Sequence, residues 1–339
     1  MRFISENSKQ FKANLHCHST LSDGRLSPEA LVDAYKAHGY SILAITDHEY
    51  PCDHTALSSP DFLLLTGYEA YLRPSRNNEY NKMKPEIHMN LLAKDPHNTT
   101  FVCYDRNFCK FIPIALAESL KHAGPEGAHR YDPAFINMFI AEARKAGYLV
   151  TYNHPCWSME NPADILKYEG YFSLEIYNTS SYTINHCEQN IALFDTLLRN
   201  GKFPFVHGAD DNHNLVPFDD LLNDSFGAWT MICAEELTYP AVINALEKGN
   251  FYASTGPSIY ELDIQGSHAH LRCSEAQRIM MQISPKAALN AYHRDLSPVT
   301  EADFEIPSFA PHVYFAVLAA DGTEARTHAF VNPGFDPGK

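Results

Sequence analysis

Short apolar runs alternate with amphipathic stretches along most of this chain, and they do so in a repeated order. Ser27-Pro28-Glu29 supplies an N-cap, a proline at the first helical position and an acid in the first turn. The pattern predicts a helix reaching about His38 and stopping at Gly39, followed by a buried strand over 41–45 that ends in Thr46-Asp47-His48. The same order of helix, glycine and apolar strand returns four more times. Asp132-Pro133 opens a helix that ends at Gly147, and the strand over 148–152 runs into Asn153-His154-Pro155. A short helix from Ala163 stops near Gly170, ahead of a strand over 172–176 that carries Glu175. A helix over 188–199 stops at Gly201, and a strand over 203–206 leads to Gly208-Ala209-Asp210-Asp211-Asn212-His213. Residues 239–248 read as a last helix, with Gly249 before a strand over 251–254.

Helices alternating with continuous apolar strands predict parallel βα units and an α/β barrel. In such a barrel the chemistry sits on the loops at the C-terminal ends of the strands. Here most of those ends carry His, Asp or Glu. Beyond Pro257 the pattern changes to strands over 259–264, 279–283 and 312–318, then a hairpin turn at Asp321-Gly322 and a strand near 327–331. The expected organisation is a barrel over residues 1–257 and a small β-rich domain over 258–339 packed on it. Residues 95–130 read as a loop-and-helix insertion placed to cover the site.

The 339 residues suffice for such a barrel with an appendage, and 45% hydrophobic content supplies the core. A formal net charge of −15 argues against duplex nucleic acid as a partner, because a groove that follows phosphates carries excess Lys and Arg. No apolar run approaches the length needed to cross a bilayer, and residues 1–11 lack a basic segment followed by an apolar run. The expectation is a cytoplasmic enzyme. None of the eight cysteines forms a C-x-x-C pair, so they read as reduced thiols, and Cys17 is expected to face away from its histidine neighbours.

The 18 histidines carry the chemistry. His16 and His18 alternate around Cys17, which on a strand puts both imidazoles on one face with Cα atoms about 6.6 Å apart. Asp23 follows in a Ser-Asp-Gly turn, and His48 ends the next strand, with Asp47 beside it as a carboxylate that orients it. Glu69 follows an apolar strand and has two oxygens able to bridge two cations. His88 and Asn90 share a strand face. His154 is fixed before a proline, and Asp211 and His213 form a same-face pair if the backbone is extended. Glu175 faces the same mouth, and Asp210 competes with Asp211. Imidazoles mixed with carboxylates suit Zn²⁺, Mn²⁺ or Fe²⁺ and not an all-oxygen Ca²⁺ site.

The ordered set of H-x-H, S-D-G, T-D-H, G-x-E, a strand histidine, N-H-P and D-x-H resembles the PHP superfamily, named for polymerase and histidinol phosphatase domains. The resemblance spans residues 12–257, and the segment 251–257 is similar to the end of the catalytic region in stand-alone members with a C-terminal β domain. It implies a distorted (β/α)7 TIM-like barrel with two or three divalent metal ions. By motif, His16, His18, Glu69 and Asp211 would hold one ion. Glu69 would bridge to a second ion held by His88 and His154, and Asp23, His48 and His213 would hold a third.

The function this implies is hydrolysis of a small phosphorylated molecule by a metal-activated hydroxide, with no protein nucleophile. Arg73, Arg76, Lys82 and Lys84, between Glu69 and His88, and Arg25, beside the Asp23 turn, are the candidate phosphate contacts. The competing readings are an amide, carbamate or ester hydrolase on the same site, and a non-catalytic metal-binding module. A proofreading exonuclease fits less well, because the chain has no polymerase region and little basic surface.

Overall fold

Ser27 does cap a helix. In a computed structural model that describes residues 2–4, 9–74, 82–187, 189–332 and 334–335, the Ser27 hydroxyl accepts the Ala30 N–H at 3.3 Å at the start of α1 (Pro28–Ala37). Gly39, at φ +76°, ends the turn beyond it. The insertion contributes α2 (Ile114–Ser119), and α3 (Pro133–Lys145) is capped by Asp132 as expected. α4 (Pro162–Ile165) is shorter than the pattern suggests, α5 (Thr179–Asn185) is a short helix the pattern did not predict, and α6 (Ile191–Arg199) and α7 (Tyr239–Lys248) follow. None of these helices is long and apolar enough to cross a membrane.

The N-terminal segment β1 (Arg2–Ile4) precedes the parallel strands β2 (Lys9–Asn14), β3 (Ile42–Ala44) and β4 (Leu63–Leu65). A hairpin of β5 (Gly67–Leu72) and β6 (Ile87–Ala93) comes next, and the insertion holds a parallel pair, β7 (Phe101–Val102) and β8 (His122–Ala123). Parallel pairing resumes with β9 (Tyr148–Tyr152), β10 (Ser173–Asn178) and β11 (Phe205–Ala209). Then β12 (Trp229–Ala234) lies antiparallel to β2 and to β13 (Phe251–Ser254).

Besides the antiparallel β12, two more features depart from an all-parallel closed barrel. β6 is antiparallel to both β5 and β9. Apolar runs encode burial on both faces but not strand direction, so the periodicity alone did not reveal this. The strands also form two sheets instead of one ring: β11-β10-β9-β6-β5, and a longer one that contains β12-β2-β3-β4. At the C-terminal ends of the strands, single parallel bridges cross between them, Cys17 to Asn212 and His48 to Glu69. The seams are therefore pinned where the candidate site residues sit.

After residue 257 come β14 (Ile259–Gln265), β15 (His268–Ala276), β16 (Arg278–Ser284), β17 (Ala287–Ala291), β18 (Val299–Glu305), β19 (His312–Leu318), β20 (Glu324–Arg326) and β21 (Phe330–Val331). One sheet runs β1-β14-β15-β18, and β17-β16-β19-β20 continues through β13 into the sheet that contains β12-β2-β3-β4. Leu262, Leu271, Ile279, Met281 and Phe315 fill the core between them. β15 and β18 escaped the sequence reading although both alternate buried and exposed positions, because their outward faces are rich in His, Arg, Asp and Glu.

A buried charge ties this region to β10. Arg326 donates to Glu324 at 2.9 Å and to the Tyr177 hydroxyl of β10 at 3.3 Å, and that hydroxyl donates to Glu324 at 2.7 Å. Removing one member leaves the other charge buried and unpaired, which costs more than the pair is worth. Arg326→Met is expected to lower unfolding free energy by about 3 kcal/mol, and adding Glu324→Gln should recover part of it; urea unfolding of the single and double variants measures both.

Candidate metal centre

His16, Cys17 and His18 lie just past the end of β2, held by backbone bonds from Asp211 N–H to the His16 carbonyl at 2.9 Å and from His18 N–H to the Asn212 carbonyl at 3.0 Å. Cys17 turns into the core with Leu31 and Tyr35, as alternation requires, and the two imidazoles turn the other way. His16 Nε2 lies 3.1 Å from Glu69 Oε1 and 3.0 Å from Asp211 Oδ1. His18 Nε2 lies 3.0 Å from the same Asp211 oxygen, 3.4 Å from Glu69 Oε2 and 3.3 Å from His16 Nε2. All four residues are buried, and one donor atom from each lies within 4.8 Å of the others.

Glu69 also faces His88 Nδ1 at 3.2 Å, His154 Nε2 at 3.3 Å and His48 Nδ1 at 3.0 Å. Besides His16, His18, Glu69 and Asp211, three further groups of donors lie within 4.8 Å of one another among the described residues: His18, Asp23, His48 and His213; His48, Glu69 and His88; and His16, His154 and Glu175. Asp23 lies 3.6 Å from His213 Nε2, 3.8 Å from His48 Nε2 and 3.9 Å from His18 Nδ1. Asp211 and His213 are brought to the centre by a bent backbone and not an extended one. Asp211 has φ +55°, and His154 and Glu49 are also left-handed at +24° and +48°. Strained non-glycine residues persist where the surroundings over-determine them; His154 and Asp211 are themselves donors here, and the Glu49 N–H donates to the Glu69 carbonyl at 2.8 Å.

The donor set fits divalent cations. Glu69 Oε2 and His48 Nδ1 are buried without a hydrogen bond although 3.0 Å apart, a costly state that a shared cation relieves. Burial by itself would lower the pKa of His16, but Asp211, Glu69 and Glu175 outweigh it and hold the imidazolium well above its ordinary range. The same contest raises His18 and His88 to about 10, and the imidazoles in turn hold Glu69 and Asp211 well below the usual carboxylate range. Burial and the neighbouring His18 push His213 down to about 4. So much buried negative charge demands positive charge, and metal ions take the place of protons on such ligands.

The neighbouring acids divide by what they touch. Glu175 accepts at Oε2 from the His154 N–H at 2.9 Å and from Asn178 at 2.8 Å, and its Oε1 lies 3.0 Å from His16 Nδ1. It orients His16, leaving Nε2 for the centre. Asp47 does not orient His48: it accepts from the Ser19 N–H at 2.8 Å and from the Ser19 and Ser22 hydroxyls, tying down the loop that carries Asp23. Asp210 faces away from the centre, accepting from Tyr35, Thr179 and the N–H groups of Phe226, Gly227 and Ala228. It holds the fold, and Asp211 alone of the pair reaches the imidazoles.

A cleft of about 700 Å³ opens above Asp23, His48 and His88. Arg73, Lys82 and Lys84 line it, joined by Lys110 from the insertion, which the sequence reading had not singled out. Arg76 lies outside the described residues. Arg25 is exposed and not among the residues lining the cleft; its backbone N–H donates to the His213 carbonyl at 2.9 Å. Further residues escaped notice. Asn153 donates to Glu69 at 2.9 Å, Ser158 lies 3.3 Å from His154 Nδ1, and Asp224 accepts the His213 N–H at 2.7 Å. Asn153 was visible in the N-H-P motif; the others carry no local signal.

Residues 14–121 match the PHP domain. The match includes His16, His18, Asp23, His48, Glu69 and His88, while His154, Asp211 and His213 lie beyond it. A 5'-3' exoribonuclease of Haemophilus influenzae is 29% identical over 143 residues, 41% of this chain, and the chain spans 50% of that protein's length. A two-domain protein from Bacteroides vulgatus containing a predicted PHP-like metal-dependent phosphoesterase is similar in structure, with TM-score 0.46, 14% identity and 96% of both chains covered. An amidohydrolase from Chromobacterium violaceum with bound sulfate is similar at TM-score 0.38 and 16% identity, over 59% of this chain and 87% of that one.

The loop after His154 is anchored by Glu160, whose buried carboxylate accepts from Tyr168 at 2.7 Å, Tyr131 at 3.1 Å and Tyr152. Burial outweighs these donors and raises its pKa from 4.5 to about 7. Unfolded chains release this proton near the ordinary value while the fold keeps it. Stability from this group is therefore full at acid pH and lost as pH rises toward 7. Between about pH 5 and about pH 8 the native protein should lose roughly 2–3 kcal/mol that Glu160→Gln does not lose, measured by urea unfolding of both proteins.

Proposed function

We propose that this protein is a metal-dependent phosphoesterase acting on a small phosphorylated molecule. The observation that carries the proposal is a buried set of imidazoles and carboxylates at the floor of a cleft whose rim carries Arg73, Lys82, Lys84 and Lys110. His16, His18, Glu69 and Asp211 would hold one divalent ion, Glu69 with His88 and His154 a second, and Asp23, His48 and His213 a third. Zn, Mn and Fe suit these donors. Ions held there supply Lewis acidity, acidifying water toward a pKa of ~7 and neutralising charge on phosphoryl oxygens.

The chain's own groups do the rest. Glu175 fixes the His16 ring so that Nε2 faces inward. The cationic rim draws an anionic ester into an otherwise acidic protein and orients its phosphoryl group toward the floor. Rim cations favour a phosphate ester over a neutral amide or carboxylic ester. The exoribonuclease relative cleaves a phosphoester bond too, which supports the same chemistry class.

His16→Ala and Asp211→Ala are expected to lower kcat/KM by at least about 10³-fold while leaving the folded state intact by circular dichroism. Phosphate release should vanish on chelation and return with added Zn²⁺, Mn²⁺ or Fe²⁺, with two or three ions bound per chain by elemental analysis. Turnover of carboxylic esters or amides with no phosphate released from any monoester or diester would refute the proposal.

A further inference from the structure

Two aromatic side chains in the cleft are not needed to hold cations. Trp157 sits edge-on to His88 with ring centroids 5.4 Å apart and to His154 at 5.1 Å. Phe111, delivered by the insertion, lies nearly parallel to His48 at 6.3 Å and 19°. The His48 and His88 rings are 5.5 Å apart, so the two aromatics stand on neighbouring imidazoles of the floor, and both line the same cleft.

Trp157 keeps 37% of its surface exposed, yet its loop is pinned by the Ser158 N–H to the His154 carbonyl and by the buried Glu160 clamp. A fixed, partly exposed indole beside a polar floor is a flat apolar surface on which a planar ring can rest. Lys110 lies 4.8 Å from the Phe111 ring centre, keeping positive charge beside that wall.

We propose that Trp157 and Phe111 are specificity residues that receive a planar ring in the leaving group, so that the enzyme prefers aryl-bearing phosphate esters to saturated ones. This rests on the phosphoesterase reading above. The ring stacks on the aromatic walls while its phosphoryl group reaches the floor between His48 and His88. Planarity, not bulk, is what the walls select.

Benzyl phosphate and cyclohexylmethyl phosphate separate the two properties, because they share an alkyl leaving oxygen and similar bulk and differ in the flat ring. With the metal-loaded full chain, benzyl phosphate should be preferred by about ten-fold in kcat/KM, mostly through KM. Trp157→Ala and Phe111→Ala should each shrink that ratio toward one, and Trp157→Phe should keep most of it. Equal KM values for the two esters in the parent enzyme, or variants that alter both esters in the same proportion, overturn the proposal.

Binding is read separately from turnover. The chain has two tryptophans, so in a Trp229→Phe background the Trp157 fluorescence reports alone. Benzylphosphonate should quench it at about ten-fold lower concentration than cyclohexylmethylphosphonate. If no ester is hydrolysed but this difference is found, the phosphoesterase reading fails and the ring slot stands. If esters are hydrolysed and the two phosphonates bind alike, the slot fails and the phosphoesterase reading stands.

Discussion

The Glu69 carboxylate lies within 3.4 Å of five imidazole nitrogens, from His16, His18, His48, His88 and His154. A buried anion is tolerable only when it is matched by positive charge or hydrogen bonds, and much of the surrounding architecture meets that demand. The strand ends converge on it, Asn153 donates to it, and Glu175 aligns the ring that faces it. The left-handed backbone at His154 and Asp211 brings these two side chains into range at a local conformational cost. The charge concentration is thus the organising constraint, and the fold is the frame that enforces it.

Most of the inner residues were legible because each sits at the end of a recognisable strand, where a polar residue of a given type stands out against an apolar run. His16, His18, His48, Glu69, His154 and Asp211 all have that setting, and the structure brings them together. Identity at the neighbouring positions was harder. Asp210 and Asp211 are adjacent and chemically alike, and only the bend at Asp211 decides which one faces inward. Asp47 looked like a partner for His48 by adjacency, but side chains of neighbouring residues diverge, and its oxygens meet Ser19 and Ser22 instead.

What was not legible depends on contacts between segments far apart in the chain. Lys110 and Phe111 come from an insertion with no periodic signal, and their place in the cleft follows from where that insertion docks. The antiparallel course of β6 is fixed by its pairing with β5 and β9, which hydrophobic spacing does not encode. The helix boundaries fared better where a cap was present: Ser27 and Asp132 set their starts, whereas the helix after Asn190, whose side chain bonds to Cys156 and Glu175 and makes no capping bond, begins three residues later than the pattern suggested.

The single bridges at Cys17–Asn212 and His48–Glu69 have a mechanical consequence. His16 and His18 extend from one sheet, and Glu69 and Asp211 belong to the other, so an ion gripped by all four would act as a rivet across the gap. Loading would then stiffen the whole rim of the molecule and not merely arm its floor, and the emptied protein would open along its seams before any helix frays.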